Sequence, residues 1–173
     1  MSTAVEEVDV VDADDQVVGR ASRPEVRRRR LRHRAVYVLV FNHAGQLFVH
    51  QRTASKDIYP SFYDVAVGGV VEAGETYDAA AQRELAEEIG VSNADLRCIM
   101  PLRYEDETNQ VNGMVYSCSH SGAVTLQASE IVSGEWLDLD EVIERTSRAP
   151  FCPDGLEALF RYLDRLASVR RDE

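Results

Sequence analysis

Hydrophobic and polar positions along the chain fall into short blocks that switch between the period of a strand and that of a helix. Near the amino terminus Glu7-Val8-Asp9-Val10-Val11 alternates, turn-forming residues fill 12–15, and Gln16-Val17-Val18 follows, a pattern that predicts a β-hairpin. Pro24 can open a short helix through the arginines after it, since its fixed φ suits a first turn. Residues 35–41 are an unbroken apolar run rich in Val and read as a buried strand. Asn42-His43-Ala44-Gly45 turns that run into a partner strand at 46–51. A loop carrying Lys56 and Pro60 then leads to a further strand at 62–67.

The pattern breaks at a glycine-punctuated stretch, Gly68-Gly69-Val70-Val71-Glu72-Ala73-Gly74-Glu75. Thr76 has the side chain of an N-cap for a helix reaching Ile89, with Gly90 in the C′ position. Strands are expected at 96–104 and 111–119 and a short one at 135–137, after which Asp138 or Asp140 can cap a short helix to Arg145. Residues 153–169 form an amphipathic helix with Leu156, Leu159, Phe160, Leu163 and Leu166 along one side, read as core. Strands interleaved with helices predict an α/β fold, with helices packed on a mixed sheet.

Composition narrows the class. The 173 residues suit one domain, with a hairpin and basic segment at 1–34 and a core at 35–169, and 45% hydrophobic against 28% charged residues excludes wholesale disorder. The longest apolar run is seven residues, where a spanning helix needs about 20. Residues 1–15 carry acids and no base, the reverse of a secretory signal, and Cys98, Cys118 and Cys152 have no metal-ligand spacing. The expectation is a reduced, cytoplasmic protein without a membrane partner.

Net charge is −11, which disfavours nucleic acid as a partner and permits an acid-rich site for a divalent cation. The bases are concentrated: Lys56 is the one lysine, and six arginines lie within 27–34. That segment has three readings: a solvated or helix-capping stretch, a source of bidentate clamps for substrate phosphates together with Arg52 and Lys56, or an RNA contact.

The chemistry concentrates at 69–91. Glu84, Glu87 and Glu88 are spaced i, i+3 and i+4, so they share roughly a 100° arc of one helix face. Like charges there repel, and Arg83 is the one base in that helix. Unbalanced carboxylates suit a hard cation such as Mg2+ or Mn2+, although a solvated acidic face has the same appearance. The flanking residues decide between the two. Gly69, Glu75 and the run Arg83-Glu84-Leu85-Ala86-Glu87-Glu88-Ile89-Gly90-Val91 resemble the Nudix box at every specified position.

The resemblance implies a Nudix-type α/β/α sandwich and hydrolysis of a nucleoside diphosphate linked to another moiety, with water attacking phosphorus. It implies that Glu84, Glu87 and Glu88 hold Mg2+ and that Arg83 pairs with Glu75. The general base is then Glu84 or Glu88, with the loop acid Glu130 second. Glu130 stands where relatives often keep an additional metal-binding acid, and an exposed loop glutamate is the equal alternative. Gly68 and Gly69 would let the backbone turn tightly and approach the substrate, beside Arg52 and Lys56. Gly74 would supply a positive-φ position before the helix.

The chain looks most like a branch close to isopentenyl-diphosphate isomerase, through His33, Phe41-Asn42, Gly45-Gln46 and the segment from Arg52 through Ser55-Lys56 to Pro60. That isomerase uses a Cys and a metal-binding His at positions that here hold Gly68 and Val70. Isomerisation and a catalytically silent nucleotide sensor are the competing functions. Substrate choice falls to the 52–61 loop, residues 104–113 and the segment near Phe151. An apolar face on the amino-terminal hairpin could pair two subunits into a homodimer.

Overall fold

A computed structural model describes residues 5–169 and residue 171. The strands are β1 (Glu7–Val11), β2 (Val17–Ser22), β3 (His33–Phe41), β4 (Leu47–Arg52), β5 (Tyr63–Asp64), β6 (Arg97–Glu105), β7 (Gln110–Ser119) and β8 (Ile131–Leu137). The helices are α1 (Arg23–Arg29), α2 (Tyr77–Ile89), α3 (Leu139–Thr146) and α4 (Pro153–Val169). All eight strands join one mixed sheet. β3 runs parallel to β7 from His33↔Val111 to Phe41↔Ser119, and β7 pairs antiparallel with β6. A second wing, β5–β4–β8, meets β3 only at Phe41↔Leu47.

β3 is apolar throughout because both of its faces are covered. Ala35, Tyr37 and Leu39 face a core completed by Val142 of α3 and Ala158 and Leu159 of α4. Val36, Val38 and Val40 face a second core with Ala80, Ala81, Leu85 and Ile89 of α2. The side-chain period of two thus makes an α/β/α sandwich from one strand's worth of alternation.

Several boundaries differ from the sequence reading. The strand expected at 62–67 pairs with β4 only at Tyr63 and Asp64, after which the chain crosses to β3 through the bridges Val38↔Val67 and Ala35↔Val70. β8 begins at Ile131 rather than 135 because the β4 edge supplies partners from Arg52 to Leu47. Asp138, not Asp140, precedes α3 as its cap, and its N–H donates to Glu141 at 3.2 Å. On α4, Leu159 is buried, but Phe160 and Leu166 are exposed, so the apolar stripe extends past the core's edge. Cys98 is exposed, whereas Cys118 and Cys152 are buried free thiols. Among the described residues no helix is long and apolar enough to cross a membrane.

Candidate active site

The site is built where α2 faces the segment that crosses to β3. Thr76 Oγ1 accepts the Ala79 N–H at 3.2 Å to start α2, and Gly90 at φ 71° ends it. With Leu85 and Ile89 fixed in the core, Glu84 and Glu88 point into the margin beside them and are 9% and 3% exposed, while Glu87 faces solvent. The glycine pair does not turn: neither Gly68 nor Gly69 has positive φ, and both serve as close-approach points. A Cβ at Gly68 would meet the Val36 carbonyl at 1.9 Å, and one at Gly69 would meet Glu84 Oε1 at 2.6 Å. The tight turn belongs to Gly74, at φ 78°.

Arg83 organises one side of the cleft. Its Nε and NH2 each donate to Glu75 at 2.9 Å, NH2 also reaches the Val70 carbonyl at 3.1 Å, and NH1 reaches Glu84 at 2.8 Å and Glu87 at 3.4 Å. Lys56 organises the other side, bonding Glu130 and lying 3.9 Å from Glu88. A backbone bond from Thr53 N–H to the Glu130 carbonyl, 3.0 Å, fastens the Lys56 loop to the segment before β8. Arg83, Lys56, Glu84, Glu87, Glu88 and Glu130, with Arg23, Glu6, Glu72 and Gln127, border a cleft of about 180 Å³.

Burial makes the inner acids reluctant to ionise. Burial and the neighbouring Glu84 push the Glu88 carboxyl up to about 8 against the pull of Lys56, and burial raises Glu84 despite Arg83. Burial also lowers the Lys56 ammonium, with Glu88 opposing. The cleft fits a hard divalent cation: its donors are carboxylate oxygens, and Glu88 Oε2 is buried without a partner. Among the described residues no three ligating side chains already surround one point, because Arg83 and Lys56 draw the carboxylates toward themselves.

The model of the NUDIX domain matches residues 31–158. The chain belongs to the Nudix family. An uncharacterised Nudix hydrolase of Pseudomonas aeruginosa is 40% identical over 154 residues, 89% of this chain and 91% of that one. The crystal structure of DR0079 from Deinococcus radiodurans aligns with TM-score 0.79 and 31% identity, over 90% of this chain and 98% of that chain. The Nudix domain of Shewanella oneidensis NrtR, solved with ADP-ribose, shares the fold at TM-score 0.63 and 20% identity, covering 77% of this chain and 87% of that one. Nudix hydrolases act on phosphoric anhydride bonds, and this chain is an enzyme of that class. The family generally uses a divalent metal.

The Nudix cleft has a second recess behind it that changes the reading of Arg52. Arg52 does not border the acid cleft; it lines an inner chamber with Asp64, Asp154 and Tyr59, and the two spaces share Arg23, Lys56, Gly68 and Gly69. The arginine segment also resolves into separate tasks. Arg23 and Arg27, one turn apart on α1, both bond Asp57 of the Lys56 loop, at 3.3 and 2.8 Å. Arg30 and Arg32 hold Glu105, Arg34 holds Asp15, and Arg28 and Arg29 remain exposed beside Glu25. The amino-terminal segment therefore supplies part of the acid cleft's wall, through Glu6 and Arg23.

Sequence reasoning missed Arg23, Asp64 and Asp154. Asp64 had a signal: it is an acid inside an otherwise apolar run at 62–67. Asp154 has the position of an ordinary first-turn acid in α4, which concealed it.

Proposed function

We propose that the protein is a Mg2+-dependent diphosphohydrolase of small nucleoside-diphosphate-type substrates. The observation that carries this reading is that buried Glu84 and Glu88, the latter with an unpartnered oxygen, line one cleft together with cationic side chains and two glycines. Glu84, Glu87, Glu88 and Glu130 would hold the metal. When bound, it neutralises charge on the phosphates and lowers the pKa of water.

The chain's own residues do the rest. Lys56 and Arg23, shared by cleft and chamber, face the oxygens of a diphosphate lying across their border. Glu84 or Glu88 receives the proton of the attacking water as its oxygen adds to phosphorus and the bridging P–O bond breaks, with Glu130 the second candidate. Arg83, through Glu75 and the Val70 carbonyl, is a positioning residue that keeps the loop and α2 in register. The NrtR domain's ADP-ribose supports a nucleotide-like ligand, by shared fold. The branch near isopentenyl-diphosphate isomerase is a resemblance in sequence, and Gly68 and Val70 lack the groups alkene protonation needs. Three free thiols suit a reducing, cytoplasmic setting.

Phosphorus NMR of the protein with Mg2+ and a panel of nucleoside di- and triphosphates, nucleotide sugars, dinucleotides and isopentenyl diphosphate tests the reading. Release of phosphate or nucleoside monophosphate is expected, falling at least ~100-fold in Glu87→Gln. Unchanged turnover in that variant would remove the assigned roles. Binding without product would make the protein a sensor, and isomerised product would make it an isomerase.

A further inference from the structure

The inner chamber holds more polar machinery than phosphate binding requires. Two buried carboxyl groups line it. Asp64, 9% exposed, accepts the Ala66 N–H at 3.1 Å and rests against Gly155, where a Cβ would meet Asp64 Oδ1 at 2.2 Å. Asp154, 7% exposed, accepts from Tyr37 Oη at 2.9 Å and from the Gly155 N–H at 3.0 Å. Both therefore lie at the amino-terminal end of α4, where the helix dipole tolerates negative charge. These bonds leave each carboxyl with acceptor capacity to spare.

A third buried group is only partly paired. Arg52 is 9% exposed and lines the same chamber; its NH2 donates to the Ile58 carbonyl at 3.1 Å, and its Nε has no partner. Burial and the charge of Asp154 push the Asp64 carboxyl above the usual carboxylate range, so the chamber offers hydrogen-bond donors as well as acceptors near neutrality. The cavity is about 60 Å³, room for on the order of four to six water-sized groups. A purine with its ribose is too large for it.

We infer that this chamber is the specificity pocket for the non-nucleotide end of the substrate, and that it selects a small polyhydroxy group, seating the outer hydroxyls of a glycerol or pentose moiety through Asp64, Asp154 and Arg52. Hydroxyls both donate and accept, which is what two carboxyl groups and an unpartnered guanidinium N–H lining one cavity can satisfy. An alkyl chain would displace water from all three and return no hydrogen bond. An ammonium group would share the chamber with Arg23, Arg27, Arg52 and Lys56, whose charges repel it. The inference rests on the diphosphohydrolase reading, which sets the diphosphate at the shared border.

The test compares ADP-ribose with the P2-butyl ester of ADP, identical through the diphosphate, by calorimetry with Mg2+ and phosphorus NMR of the same samples. Wild type should bind the ribose ester at least tenfold more tightly, as expected from one or more hydrogen bonds to buried groups. Asp64→Leu should abolish or reverse that preference, and the milder Asp154→Asn should reduce it, with the butyl ester's affinity changing less than twofold. Equal affinities in wild type, where folding of a variant is not at issue, would overturn the inference, as would equal losses for both esters. Intact preference without any phosphorus product would overturn the hydrolase reading alone, and failure of both esters to bind would count against both.

Discussion

The glycine pair gives the sharpest test of how fold and site are divided, because two adjacent substitutions should fail in different ways. In Gly68→Ala the new Cβ would lie 1.9 Å from the Val36 carbonyl oxygen, where real Cβ atoms stay beyond 3.0 Å. The obstacle is backbone of the central strand, so β3 and the crossing segment must separate by about 1 Å, a strain in the range of overpacked cores. That movement also stretches the 2.9 Å bond from Val36 N–H to the Gly69 carbonyl. Overpacking at about 1–3 kcal/mol and a weakened buried bond at about 1 kcal/mol are offset by about 0.4–1 kcal/mol of lost unfolded-state entropy. The net cost is about 2 kcal/mol within a range of about 1–3.5, or roughly 4–8 °C in Tm at that central value for a chain of this size.

In Gly69→Ala the Cβ would instead meet Glu84 Oε1 at 2.6 Å, the far end of a side chain that can rotate. Stability should change by no more than about 1 kcal/mol, while Mg2+-dependent turnover falls at least ~10-fold because Glu84 leaves its place. Scanning calorimetry and urea unfolding, with turnover measured well below each variant's Tm, separate the two. A Gly68→Ala protein melting within ~2 °C of wild type would refute the reasoning.

Two further outcomes follow from the electrostatics. Magnesium at a hundred times its Kd should stabilise the wild type by about 2.7 kcal/mol, roughly 5–10 °C, and Glu88→Gln should remove most of that thermal shift. An equal shift in the variant would exclude Glu88 as a ligand. Burial raises the Asp57 carboxyl, but Arg27 and Arg23 outweigh it and hold the group at about 2. A depressed acid stabilises the fold above its unfolded value and loses that contribution as pH falls from about 4 to about 2. Asp57→Asn should therefore cost about 1 kcal/mol at neutral pH, after discounting for partial exposure, and progressively less as pH falls through about 2, as read by urea unfolding across pH. A pH-independent difference between variant and wild type would contradict the pairing.

Elements with local causes are legible from neighbouring residues alone. Thr76 and Gly90 bound α2 because caps are set by a hydroxyl and by a residue that tolerates positive φ. The apolar run of β3 announces a strand, and Glu84, Glu87 and Glu88 share an arc because helical spacing leaves them no alternative. Tertiary structure decided what each group faces. Gly68 and Gly69 read as a turn, yet their spacing from Val36 and Glu84 depends on a segment crossing to β3. Arg52 and Lys56 read as a matched pair of phosphate ligands, but β4 ends between them, so one lies in the inner chamber and the other reaches Glu88 and Glu130. Asp64 and Asp154 are ninety residues apart in the chain and meet only when α4 caps the chamber. Local chemistry is written in neighbours along the backbone. Burial, and with it the reluctance of Glu88 and Asp64 to ionise, is a property of neighbours in space.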